Sequence, residues 1–209
     1  VGSRLAAEGT LDVLVLTHVD ADHVEGMILL VNDAAAGVGI GEVWFNARRH
    51  FGEGRLHGAH GEMLSALVVE RRIPWNLRFG GEAVCSDAGI RSVELPGGLR
   101  VTVLAPSAAS LKALENDWVK ACRDAKVDGS VESVLAALRT RPRLVPAESY
   151  LDRPARPKVR QLARSVRSPD DSRANASTIV LLLEIDGRAV LLCGDATPAS
   201  LLTAVRNLP

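Results

Sequence analysis

The stretch Thr17-His18-Val19-Asp20-Ala21-Asp22-His23 constrains this chain more than any other. It follows an apolar run, Leu11-Asp12-Val13-Leu14-Val15-Leu16, which reads as one buried strand. It precedes Val24, Met27, Ile28 and Val31, which recur at helical spacing and put His23 at a helix N-terminus. Two histidines and two aspartates thus crowd the end of a buried strand. Burying them is costly unless something cationic meets them. A divalent metal meets that need, because imidazole and carboxylate both ligate zinc and a site with open positions activates water. The competing reading is a polar loop with capping aspartates.

A second stretch carries similar chemistry far downstream. Asn175-Ala176-Ser177-Thr178 leads into an apolar run from Ile179, and Leu191-Leu192-Cys193 ends in Gly194-Asp195. Asp186-Gly187 between the two runs is a hairpin dipeptide. Thr-His-x-Asp-x-Asp-His-x-x-Gly over Thr17–Gly26 resembles the metal-binding signature of the metallo-β-lactamase superfamily, with Asp20 in place of the usual second histidine. Gly194-Asp195 resembles that superfamily's metal-bridging aspartate. Asp20 and the Asn-x-x-Thr run at Asn175 are similar to the ComEC-like hydrolase branch. The resemblance covers residues 11–32 and 175–198 well and the middle loosely.

The resemblance implies an α/β fold, the αβ/βα four-layer sandwich of the superfamily, and two divalent ions. His18 and Asp20 would hold the first, Asp22 and His23 the second, and Asp195 would bridge them. Asp22 would also orient the attacking water as a catalytic residue. Asn175 stands where many members carry a third histidine. Its other reading is an ordinary turn before a strand. Zinc is the first expectation, and the oxygen-rich donor set leaves manganese or magnesium open. The implied activity is metal-dependent hydrolysis by hydroxide generated at the metals, with phosphodiesters of a nucleic acid or nucleotide as substrate. The alternatives are a lactone, thioester or other carbonyl ester as substrate, or a non-catalytic sensor or scaffold with a protein partner. The superfamily also has strands before the first motif and a further histidine after the aspartate. The expectation is therefore one domain over 1–209, part of a longer protein, with the sandwich incomplete at both ends.

Composition sets looser bounds. The chain has 209 residues, 25 Lys+Arg and 25 Asp+Glu, so no global charge calls for nucleic acid or membrane. Cys85, Cys122 and Cys193 are far apart and odd in number, which argues against a disulfide framework and for the cytoplasm. No apolar run approaches the roughly 20 residues of a membrane span.

Between the motifs, Glu42–Asn46, Val84-Cys85, Ser92–Leu95 and Leu99–Leu104 read as strands, with Pro96-Gly97-Gly98 as a hairpin turn. Residues 47–61 read as a solvent-facing loop beside the site, bearing His50, His57 and His60. Met63–Glu70 reads as a helix, as does a segment capped by Ser110 with Leu111, Leu114, Trp118 and Cys122 on one face, and another over Ser130–Leu138. Residues 139–174 form a Pro- and Arg-rich insertion or linker. Its basic residues suit phosphates or plain solvation, and Tyr150 alone gives no stacking platform. Cys193 reads as a buried strand residue, and Thr197-Pro198 begins a last helix.

Overall fold

The apolar run before the first motif forms two short strands, β1 (Thr10–Leu11) and β2 (Leu14–Val15), where one strand is expected from the sequence. They pair in parallel with β3 (Gly39–Ile40) and β4 (Val43–Trp44) in one shared register, Thr10 opposite Gly39 and Leu14 opposite Val43. The interruption falls where Gly41 crowds the Asp12 carbonyl, which a Cβ on Gly41 would approach to 2.8 Å. In the computed structural model the described residues are 9–32, 38–50, 60–89, 91–124, 171–206 and 208.

Helix α1 (Ala21–Asn32) and helix α2 (His60–Glu70) pack against each other and against one face of the parallel strands. Val24, Met27, Ile28 and Val31 are all buried there, with Leu64 and Leu67 from α2. Each fully buried Leu or Val contributes about 1.5–3 kcal/mol. Phe45 joins that cluster, whereas Trp44, one residue away, points to the opposite face. There it meets Phe79, Val101, Val103, Ile179 and Leu181.

Those partners belong mostly to an antiparallel sheet. It is ordered β5 (Ser92–Leu95), β6 (Leu99–Ala105), β7 (Val180–Ile185) and β8 (Arg188–Leu192). Pro96–Gly98 turns β5 into β6, with Gly97 and Gly98 both at positive φ. Asp186 and Gly187 are both left-handed, as a two-residue hairpin turn requires. The sheet's other face carries Leu104, Val180 and Leu182, and it packs under Ala204 of the last helix, α5 (Pro198–Arg206). The chain is therefore mixed α/β, and no helix among the described residues is long and apolar enough to cross a membrane.

Several sequence expectations need correction. Val84-Cys85 is not a strand. The Asn46 side chain grips it instead, its amide donating to the Val84 carbonyl at 2.9 Å and accepting the Val84 N–H at 2.8 Å. Helix α3 (Ala108–Asp124) is capped by Ser107, whose Oγ accepts the Ser110 N–H at 3.1 Å, and not by Ser110. Cys193 is half-buried and lies one residue beyond β8. Arg173–Ala176 is a helical turn, α4, although residues 139–174 read as an insertion or linker. Helix 130–138, residues 139–170, His57 and the side chains of Trp118 and Cys122 lie outside the described residues.

His50 is not on an open loop. It ends a 3-10 turn (Arg48–His50), accepts the Ala47 N–H at Nδ1 (3.0 Å) and stands edge-on to Trp75 at 5.0 Å. Burial, then the Arg49 charge, lowers its pKa to about 4. The folded chain thus holds His50 neutral where the unfolded chain would protonate it near 6.5. Its contribution is complete above pH 6.5 and is lost as pH falls towards 4. With its partial exposure, that amounts to about 2 kcal/mol. Urea midpoints should fall less steeply over this window in His50→Gln than in wild type. Parallel curves would show that His50 carries no such linkage.

Candidate metal centre

The first motif begins where β2 ends. Leu16 N–H still pairs with the Trp44 carbonyl at 3.0 Å, and then the Thr17 carbonyl accepts the Ile179 N–H at 2.9 Å. That one bond joins the end of the parallel strands to the start of β7. Asp20 opens α1 through its carbonyl, which accepts from His23 N–H (3.0 Å) and Val24 N–H (2.9 Å). Asp22 lies in the first turn, where the helix dipole favours its negative charge.

Three segments converge here. Gly194 adopts φ +51, and a Cβ on it would come within 2.8 Å of Thr178 Cγ2 and 3.3 Å of Thr17 Cβ. Only a glycine lets the turn after β8 sit this close to both. It delivers Asp195, whose Oδ2 lies 3.2 Å from His23 Nε2. His18, His23 and Asp195 form the one such cluster among the described residues, with ligand atoms all within 4.8 Å of one another. The two imidazoles are 4.2 Å apart between centroids.

The other expected ligands stand at the rim. Asp20 Oδ2 is 3.6 Å from His18 Nε2, and Asp22 Oδ2 is 3.9 Å from His23 Nε2. The Asp22 side chain is 79% exposed, against 49% for Asp195 and none for His18. Burial, with the His23 charge second, lowers the His18 pKa and so favours a neutral ring. His18 Nε2 is nonetheless buried without a hydrogen-bond partner. Asn175 is buried in α4 and its Oδ1 also lacks one. Its segment reaches the site through Ile179 and Thr178.

His50 is held by Ala47 and Trp75 and is not part of the cluster; His60 opens α2. Thr17 was not singled out by sequence, although it stands inside the motif. Its hydroxyl lies 3.0 Å from His18 Nδ1. An open groove of about 370 Å³ between Glu94, Arg100, Glu184 and Arg188 sits at the hairpin end of the antiparallel sheet, away from these residues.

The donor set suits a divalent ion. Two imidazoles and a carboxylate are a common zinc or iron ligand set with positions left open. A buried ring nitrogen without a partner is costly unless it meets a donor or a cation. Gly194→Ala should destabilise the chain by about 2 kcal/mol, through the left-handed φ and the contact with Thr178, and should displace Asp195. Denaturant titration of this variant checks the first effect. A midpoint within error of wild type would show that the close packing at Gly194 is relieved at no cost. Comparison of the chain with family models, with curated proteins and with solved structures gave no match.

Proposed function

We propose that this chain is a metal-dependent hydrolase of the metallo-β-lactamase superfamily, of the ComEC-like branch, acting on phosphodiester bonds. The observation that carries the reading is the cluster of His18, His23 and Asp195, in which His18 Nε2 is buried with no hydrogen-bond partner. The order of packing also supports it. Helices α1 and α2 pack on one side of the parallel strands, Trp44 on their other side meets the antiparallel sheet, and Ala204 of α5 meets that sheet's far face, an order compatible with an αβ/βα sandwich.

Two ions are part of the proposal. The pairing of His18 with Asp20 and of His23 with Asp22 supports two half-sites, and Asp195, within 4.8 Å of both histidines' ligand atoms, would bridge them. The bound ions, zinc first and manganese or magnesium otherwise, would supply Lewis acidity and lower the pKa of water. His18 would offer its buried Nε2. His23 is oriented by Asp195. Asp22, the most exposed of the three carboxylates, would accept a proton from water and orient it for attack. Asn175 would add a neutral oxygen ligand. The phosphodiester class rests on the Asp20 and Asn175 pattern.

Elemental mass spectrometry of the purified protein, with Asp22→Ala and Asp195→Ala, tests the reading. About two metals per chain, lost in the variants, support the dinuclear hydrolase. A bis-aryl phosphate and single-stranded DNA, run beside a lactone and a thioester, then separate the substrate classes. A folded protein that takes up no metal would leave only a sensor or scaffold.

A further inference from the structure

Thr17 is more than the residue before the first ligand. Its carbonyl is fixed by Ile179 N–H at 2.9 Å, and its Cβ and Cγ2 lie 3.3 Å from where a Gly194 Cβ would stand. Backbone and side chain are therefore both pinned, and the hydroxyl has little freedom to leave His18. That hydroxyl is 3.0 Å from His18 Nδ1, while Nε2 of the same ring is buried with no hydrogen-bond partner.

A neutral imidazole carries one N–H and one lone pair, so the two nitrogens cannot play the same part. With the proton on Nε2, that buried N–H would make no hydrogen bond, since the nearest carboxylate oxygen, Asp20 Oδ2, stands 3.6 Å away. With the proton on Nδ1, the N–H donates to Thr17 Oγ1 and the lone pair on Nε2 faces Asp20 and the cluster. We infer that Thr17 is a positioning residue that holds His18 in its Nδ1–H tautomer and so presents Nε2 as the ligand atom. The inference rests on the proposed metal site for its function but not for its geometry. A hydrogen bond to the far nitrogen of a ligating histidine fixes tautomer and ring orientation, and losing such a partner typically lowers metal affinity by about 10–100-fold.

Two variants of the full chain separate the hydroxyl from the packing. Thr17→Val keeps the branched shape and loses the acceptor, whereas Thr17→Ser keeps the acceptor and loses the methyl. The first readout is the 15N spectrum of the His18 ring in metal-free protein. Wild type and Thr17→Ser should show the Nδ1–H tautomer, and Thr17→Val a mixture. The second is zinc affinity by competition with a chromophoric chelator, with folding checked by circular dichroism. Thr17→Val should bind about tenfold or more weakly, and Thr17→Ser within about threefold of wild type. An Nε2–H tautomer in wild type overturns the inference. So does Thr17→Val binding as tightly as wild type, or Thr17→Ser binding as weakly as Thr17→Val. A wild type that takes up no zinc defeats the metal-site reading, and the tautomer measurement still decides the role of Thr17.

Discussion

Zinc should raise the melting temperature of metal-free protein by roughly 5–10 °C, and Asp195→Ala should cancel that rise. The argument is mass action. An ion that binds only the folded chain stabilises it by about 2.7 kcal/mol at a hundredfold excess over its dissociation constant. For a chain of this size each kcal/mol is worth about 2–4 °C. Asp20, Asp22 and Asp195 gather three carboxylates beside the imidazoles of His18 and His23, a concentration of negative charge that a divalent cation would offset. Removing Asp195 takes away the ligand 3.2 Å from His23, yet its side chain is half exposed and little packing is lost. The variant should therefore fold and melt near the metal-free wild type. Differential scanning fluorimetry with zinc or a chelator reads the effect. An equal zinc shift in wild type and Asp195→Ala would remove Asp195 from the site.

The largest loss of stability is expected away from the site, at Asn76. This residue is fully buried and left-handed, with φ 48. Its Oδ1 accepts Phe45 N–H at 2.9 Å, and its Nδ2 donates to the carbonyls of Glu82 (2.9 Å) and Phe45 (3.1 Å). Asn76→Ala leaves Phe45 N–H and the Glu82 carbonyl without that partner, at about 1–3 kcal/mol each. Alanine also tolerates the left-handed region less well than asparagine, by about 1 kcal/mol. The sum is about 4 kcal/mol, a fall of roughly 8–16 °C. Leu77→Ala next door removes a side chain that is 66% exposed and should change stability by less than about 0.5 kcal/mol. Urea unfolding of the pair makes the comparison. A similar midpoint for both would mean that the Asn76 bonds are replaced when it is lost.

Asn76 and Asn46 also show why part of the fold was hidden in the sequence. Each side chain replaces a missing strand partner, one for Phe45 and one for Val84. Strand propensity at Val84-Cys85 said strand, and a side-chain amide took over the pairing, which no local pattern reveals. Where periodicity and turn chemistry agree, the reading was good. Val24, Met27, Ile28 and Val31 share a buried face, and Asp186-Gly187 makes its hairpin. His50 was misplaced because a histidine among glycines looks solvated. Its burial depends on Trp75, which is distant in sequence. At the site, residue types and spacing picked out His18 and His23, and the superfamily resemblance added Asp195. The Thr17 hydroxyl escaped notice because only the fold shows which ring nitrogen it meets.

The bond between His23 and Asp195 spans 172 residues of sequence. The first motif is made well before Asp195, so the third member of the cluster joins it only once the β7–β8 hairpin is in place. Before that moment the two histidines lack their shared carboxylate and have little hold on an ion. On the proposed metal reading, capture would wait until that hairpin has docked, and a chain without it would be poorly equipped to sequester metal. Metal uptake, followed in time during refolding, would then serve as a clock for the docking of the β7–β8 hairpin.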